Sequence, residues 1–110
     1  MKLLVAPRSV PAGTVSIVAF NHGTVTHELV VLALAPGGSV GTRAVGADDR
    51  VSEDGSLGAA SADCGAGAGE GIAPADASWV TLALKPGRYE LLCNLPGHYA
   101  AGMYAELDVT

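Results

Sequence analysis

Glycine and proline interrupt this chain so often that short strands fit it better than long helices. Fifteen Gly and six Pro are spread through 110 residues, and both residue types favour turns over helix interiors. Twelve valines and twelve leucines lie between these breaks, while aromatic residues make up only 5% of the sequence. Short apolar segments of this kind that end in turns are typical of β-strands. The sequence therefore predicts an all-β protein.

Five segments have the composition and pattern of strands. Their predicted bounds are 14–21, 27–34, 79–84, 89–93 and 104–110, with a candidate first strand at 3–6. The segment 27–34 is almost continuously apolar, which indicates a central strand or one buried on both faces.

The segments 79–84 and 89–93 flank a Pro-Gly pair at Pro86 and Gly87. Proline followed by glycine at the centre of a turn is the signature of type II. We therefore predict that these two strands form a hairpin. Period-2 alternation places Tyr89, Leu91 and Cys93 on one face of the second strand.

The length and the charge limit the architecture and the function. One domain spanning residues 1–110 fits the length, and a content of 49% hydrophobic residues excludes a disordered acidic tail. The net charge of −5 leaves no basic surface for nucleic acid. No apolar run approaches the roughly 20 residues of a membrane span, and 3–6 is too short for a signal peptide. We expect either a cytoplasmic protein or a part of a longer exported or anchored precursor.

Residues 38–76 form a long insert between the central strands and carry most of the acidity. Seven acids and one arginine lie between 46 and 76, whereas the rest of the chain has four acids and five bases. The simpler interpretation is a solvated flap with a short helix or an irregular strand, because structureless loops of this length are uncommon. The functional interpretation is an acidic surface, centred on Asp48, Asp49, Glu53 and Asp54, that steers a basic partner. The spacing of a calcium-binding EF-hand is absent.

Three potential metal ligands follow one another near the C-terminus. Cys93, His98 and Met103 have the spacing C-x4-H-x4-M, and His27 lies far upstream beside a predicted strand. A thiolate, two imidazoles and a weak thioether form the ligand set that selects copper, with Met in a long axial position. We expect a metal held by strands that are distant in sequence, so that binding also stabilises the fold.

These residues make the chain resemble the cupredoxins, the small blue copper proteins of the plastocyanin, azurin and rusticyanin type. The downstream loop reads C-N-x-P-G-H-x-x-x-G-M, and residues 21–29 resemble the family segment N-x-G-x-x-x-H-E-L. The resemblance covers about 13–35 and 78–110. It implies a Greek-key β-sandwich and one type 1 copper per chain.

The resemblance also implies a role for individual residues. His27, Cys93 and His98 would be equatorial ligands and Met103 the axial one. The carbonyl of Thr26 would lie at a distant fifth position, although Thr replaces the usual Gly. The side chain of Asn94 could order the ligand loop.

Two further potential ligands are given other roles. His22 is read as an ordinary core or surface histidine, because the family pattern skips it. Cys64 is read as a free thiol, because a disulfide with Cys93 would destroy the site.

The resemblance implies a non-enzymatic carrier of single electrons between redox proteins. Partners would dock near His98, within an apolar collar formed by Leu95, Pro96, Tyr99, Ala100 and Ala101. We expect a monomer in a periplasmic or other extracytoplasmic location. Two alternatives are a protein that stores or delivers copper and a metal-free β-sandwich interaction module. The accumulation of four ligands at family spacing argues against the second alternative.

Overall fold

The computed structural model describes residues 2–60 and 71–110 and contains seven strands and no helix in those ranges. The strands are β1 (Ser9–Val10), β2 (Gly13–Phe20), β3 (Leu29–Ala33), β4 (Gly58–Ala60), β5 (Ala77–Leu84), β6 (Gly87–Leu92) and β7 (Tyr104–Val109). The predicted all-β class is confirmed. Across the described ranges, no helix is long and apolar enough to cross a membrane.

The strands form two sheets that pack against each other as a sandwich. The larger sheet has the order β1-β7-β6-β3-β4, and the smaller one pairs β2 with β5. The β1–β7 pair is parallel, and the other described pairs are antiparallel. The chain passes from one sheet to the other between β1 and β2, β2 and β3, β4 and β5, and β5 and β6, and such crossings are typical of a Greek-key sandwich. The predicted fold is confirmed.

The predicted hairpin between 79–84 and 89–93 is wrong. The strand β5 pairs with β2 in the smaller sheet, whereas β6 pairs with β3 and β7 in the larger one. Gly87 has a φ of 155°, far from the value near +80° that a type II turn requires. The Pro86-Gly87 pair therefore reverses the chain between the two sheets instead of within one.

The N-terminal segment also differs from the prediction. Residues 3–6 form no strand, and the first strand is β1, where Ser9 pairs with Asp108 of β7. Leu3 and Val5 nevertheless pack against the core between the sheets. Their apolar character therefore reflects side-chain burial without strand pairing.

Two apolar clusters lie on opposite faces of the larger sheet. The first fills the space between the sheets, and its fully buried members include Val31, Leu91 and Leu107. The second contains Leu32 and Leu92, whose side chains alternate with those of the first. Because β3 contributes to both clusters, its continuous apolar pattern is explained by burial on both faces, as predicted.

The described part of the insert covers the second cluster. It contains the edge strand β4, which pairs with β3, and an antiparallel bridge between Val45 and Val51. Val51 is buried among the residues of the second cluster. Most residues of this part are exposed, including its four central acids, and it contains one short strand. It therefore agrees with the solvated-flap interpretation except at its few buried residues, which include Val51 and Ala60.

Candidate metal centre

Cys93 lies directly after β6, where the central strand ends. Its side chain is completely buried, and its thiol forms no disulfide. The amide of Cys93 donates a hydrogen bond to the carbonyl of Met103 over 3.1 Å. The amide of Glu28 donates to the Cys93 sulfur over 3.3 Å. The thiol position is therefore fixed by both neighbouring strands.

His27 lies two residues before β3 and is fixed by a bridge to Ile72. The amide of His27 donates to the Ile72 carbonyl over 3.1 Å, and the amide of Ile72 donates back over 2.5 Å. Gly71 permits this close approach, because a Cβ there would lie 2.6 Å from Cγ2 of Thr26. The bridge holds the first histidine against the end of the insert.

Asn21 organises the loop that leads to His27. Its buried side chain donates to the carbonyls of Val25 and Ile72, both over 2.8 Å, and accepts from the amide of Gly23 over 2.8 Å. These bonds satisfy backbone groups at both sides of the loop, which buried polar groups require. Asn21 therefore connects the His27 loop to the same Ile72 segment.

His98 lies in a series of tight turns between Cys93 and Met103. Its amide donates to the Leu95 carbonyl over 3.0 Å, and its carbonyl accepts from the Met103 amide over 3.2 Å. Gly97 adopts a φ of 79°, a conformation that glycine accepts most readily. These bonds bend the loop so that the imidazole returns towards the end of β6.

The three donor atoms of His27, Cys93 and His98 converge. The Nδ1 atoms of His27 and His98 are 3.1 Å apart, and they lie 3.8 and 3.3 Å from the Cys93 sulfur. A point equidistant from these atoms lies about 2.0 Å from each, close to the metal–nitrogen and metal–sulfur bond lengths of roughly 2.0–2.3 Å in proteins. The triangle therefore fits one metal ion, and its soft thiolate and imidazole donors fit copper.

Burial favours the neutral forms of two of the donors, Cys93 and His27. Burial raises the pKa of the Cys93 thiol. Burial, followed by the proximity of His98, lowers the pKa of His27. A neutral imidazole offers its lone pair to a metal, and a bound cation reverses the preference of the thiol by deprotonating it.

Asn94 and Glu28 form a group of polar contacts beside Cys93. The Asn94 side chain accepts from the amide of Val51 and donates to its carbonyl, each over 2.9 Å, and also donates to Glu53 over 2.8 Å. The amide of Asn94 donates to the Glu28 carboxylate over 3.1 Å. Burial, and to a lesser extent the nearby Glu53, raises the pKa of Glu28. The predicted ordering role of Asn94 agrees with these contacts.

The other sequence-predicted residues have different positions. Met103 is buried and lines the same cleft as His27. The carbonyl of Thr26 stays a prediction. His22 is exposed, stacks on Phe20 with ring centroids 4.4 Å apart, and lies outside the donor cluster. Cys64 lies outside the described residues.

Neither Glu28 nor Asn21 was predicted from the sequence to have a role at this site. Both positions stand in the quoted N-x-G-x-x-x-H-E-L segment, which is the signal that could have found them. Their partners lie 51 residues away for Asn21 and 66 residues away for Glu28. Contacts of that separation do not follow from local spacing.

Comparisons with known proteins agree with this geometry. Residues 7–110 match the sulfocyanin (SoxE) domain. No curated protein matches the sequence at a significant level.

Several solved structures share the fold. Rusticyanin from Thiobacillus ferrooxidans has a TM-score of 0.65 and 22% identity, over 93% of this chain and 59% of that one. Auracyanin from Roseiflexus castenholzii has a TM-score of 0.62 and 24% identity, over 93% and 82%. Auracyanin B has a TM-score of 0.63 and 27% identity, over 96% and 78%. The chain thus spans about three fifths of rusticyanin. Rusticyanin is a copper protein.

The cupredoxin resemblance seen in the ligand loop is thereby confirmed. The family match covers nearly the whole chain, and the structural matches share its two-sheet architecture. With a thiol and two imidazoles gathered at one end of the sandwich, the chain belongs to the sulfocyanin (SoxE) domain family of cupredoxin-type blue copper proteins.

Proposed function

We propose that this protein carries single electrons between redox partners at one type 1 copper site. His27, Cys93 and His98 are the equatorial ligands, and Met103 is the axial ligand. When bound, copper supplies the Cu(II)/Cu(I) couple. The observation that carries this proposal is the triangle of donor atoms, with sides of 3.1, 3.3 and 3.8 Å.

The surrounding residues support electron transfer over copper delivery. Cys93 has no exposed surface, and the Glu28 amide contacts its sulfur. Hydrogen bonds from the backbone to a ligand fix its orientation and tune the metal. A delivery protein needs a donor that an acceptor protein can reach, and a fully buried thiol does not offer one. The residues are arranged to hold an ion through both oxidation states.

Partners dock at the end of the molecule where His98 approaches the surface. His98 is half-buried, and Pro96, Ala100 and Ala101 beside it are exposed. Tyr99, expected in the apolar collar, is instead 2% exposed and faces inward. A small apolar surface of this kind suits brief encounters, which bury less than roughly 1,200 Å². The protein acts as a single-domain monomer, without enzymatic activity, in an extracytoplasmic compartment.

Voltammetry and chelator challenge of the copper-loaded protein test this function. We expect one reversible one-electron wave per chain and retention of Cu(I) against a competing chelator. A protein that shows no reversible wave, but passes Cu(I) quickly to an acceptor, would store or deliver copper instead.

A further inference from the structure

A completely buried carboxylate lies on the face of β6 that the insert covers. Glu90 has no exposed surface and shares this face with Leu92. Its carboxylate accepts three hydrogen bonds, from the Gly41 amide over 2.8 Å, the Tyr99 hydroxyl over 2.9 Å and Nε of Arg43 over 2.6 Å. Two of these donors belong to the insert and one to the ligand loop.

Tyr99 is held from both sides by this network. Its hydroxyl donates to Glu90 and accepts from the amide of Arg43 over 3.1 Å. Its ring packs against Tyr104 with centroids 5.2 Å apart, and only 2% of the residue is exposed. The Tyr99 hydroxyl thus both donates and accepts a hydrogen bond, and these two bonds fix the direction of the ring.

Tyr99 lies in the loop between two proposed copper ligands. It directly follows His98, and its carbonyl accepts from the Gly102 amide over 3.0 Å, immediately before Met103. The loop contains no regular strand or helix between Cys93 and Met103. A displacement of Tyr99 therefore moves the backbone on which His98 is mounted.

The burial of this charge needs an explanation beyond stability. A buried ion pair is often no more stabilising than apolar side chains of the same volume, because desolvation offsets the attraction. Three directed hydrogen bonds, in contrast, define one geometry for the groups that make them. The residues joined here are those that connect the insert to the ligand loop.

We infer that Glu90 is a positioning residue, which anchors Tyr99 to the insert and thereby holds His98 in its copper-binding orientation. This inference rests on the proposed function. Removing the anchor loosens the loop in the apoprotein and weakens the copper site without touching a ligand. Outer partners of metal ligands typically change metal affinity by about 10- to 100-fold.

The test compares Glu90→Gln and Tyr99→Phe with wild type in the full chain. A glutamine amide presents a donor where the carboxylate presents an acceptor, so at least one of the three donors loses its partner. Tyr99→Phe keeps the ring and removes only the hydroxyl. Glu106→Gln is the matched control, because Glu106 lies opposite Glu90 on β7 and pairs with Arg88 on the surface.

Three quantities are measured for each variant. They are amide hydrogen exchange of residues 97–103 in the apoprotein, the Kd for copper, and the copper hyperfine splitting in EPR. We expect faster exchange confined to this loop, a Kd for copper raised roughly tenfold or more, and a changed splitting in Glu90→Gln and Tyr99→Phe. Glu106→Gln should match wild type in all three.

Each other outcome has a defined meaning. Wild-type values in both variants would overturn the inference, as would faster exchange spread equally over β3 and β5, which indicates global destabilisation alone. If Glu90→Gln does not fold, Tyr99→Phe decides. If wild type binds no copper, the proposed function fails, and unchanged loop exchange in the two variants would still overturn the anchoring.

Discussion

The side chain of Asn94 connects the metal-site loop to the insert. It joins the residue after Cys93 to both backbone groups of Val51 and to Glu53. Both Asn94 and Val51 are buried. Unpaired buried polar groups are costly, so this one amide helps to hold the backbone that directly follows the thiol.

Replacing Asn94 with Ala should destabilise the protein and weaken the site together. The amide and carbonyl of Val51 lose their partners, which we expect to lower the unfolding free energy by about 2–4 kcal/mol. Urea unfolding of the apoprotein measures this loss. Ser16→Ala, which removes an exposed hydrogen bond to Thr81, should cost less than about 1 kcal/mol. Equal losses in the two variants would contradict the role of Asn94.

The ion pair between Arg88 and Glu106 predicts a pH dependence. Arg88 lowers the pKa of Glu106 from 4.5 to about 2. Since the folded pKa lies below the unfolded one, the pair stabilises the protein above pH 4.5, and this contribution is lost as the pH falls to about 2. Because both side chains are partly exposed, we expect this contribution to be small.

Thermal unfolding of the apoprotein between pH 5 and 2 measures this dependence. Glu106→Gln should slightly reduce the loss of thermal stability between pH 5 and 2, and Arg88→Met should do the same. The double variant should add nothing further. Additive effects of the two substitutions would show that the groups act independently.

The candidate ligand residues could be identified from the sequence, but the residues that support them could not. Cys93, His98 and Met103 lie within one short segment, so spacing alone indicated them. Glu90 is 47 residues from Arg43. The alternation of polar and apolar residues around Glu90 is the same as in any strand with one buried face. Only the fold brings such a pair together.

At the scale of elements, the short bridge between His27 and Ile72 connects the first ligand to the end of the insert. Gly71 has a φ of 80°, and a Cβ there would meet Cγ2 of Thr26 at 2.6 Å and the His27 carbonyl at 3.1 Å. Gly55 also has a φ of 80°, but a Cβ there would have nothing within 4 Å. Alanine substitutions at these two positions therefore separate two costs. Both impose a left-handed backbone on alanine, but only the substitution at Gly71 also crowds neighbouring atoms.

Gly71→Ala should disturb the site more than Gly55→Ala does. The left-handed conformation costs roughly 1–2 kcal/mol in each variant, and crowding adds to this cost only at residue 71. Urea unfolding of the apoproteins and EPR of the copper forms measure the difference. We expect a changed copper signal only in Gly71→Ala. If both variants gave the wild-type EPR spectrum, the bridge would not position His27.

Strand positions could be predicted well, whereas strand partners could not. The bounds of β2, β3 and β7 differ from the predicted ones by at most two residues, because apolar pattern and turns are local properties. The Pro86-Gly87 turn marked a reversal of the chain, yet nothing local states whether the next strand joins the same sheet. The sheet assignment depends on which surfaces the whole chain must cover.

At the scale of the whole molecule, the acidic part of the insert lies beside the metal loop. The carbonyl of Asp49 accepts from the Gly97 amide over 2.9 Å, and Asp48, Asp49 and Asp54 are exposed. A charge next to the proposed docking end would steer a partner of opposite charge, and salt would screen this effect. The backbone of Asp49 thus contacts the loop that carries His98.

The variant Asp48→Asn, Asp49→Asn, Asp54→Asn should slow electron transfer to a basic redox protein at low salt. We expect a decrease of about tenfold, within the range of electrostatic steering, that disappears as the salt concentration rises. Stopped-flow absorption measures the rate. Glu53 is left unchanged because it contacts Asn94. An unaltered rate and salt dependence would contradict the steering role.

The central claim is that one copper binds through the Cys93 thiolate, and a copper titration of the reduced apoprotein tests it most directly. Visible absorption and EPR are recorded for wild type, Cys93→Ser and Cys64→Ser. We expect one equivalent of copper with an intense thiolate-to-copper band in wild type and in Cys64→Ser. The band should be absent from Cys93→Ser. A colourless wild-type complex, or a band that survives in Cys93→Ser, would contradict the account.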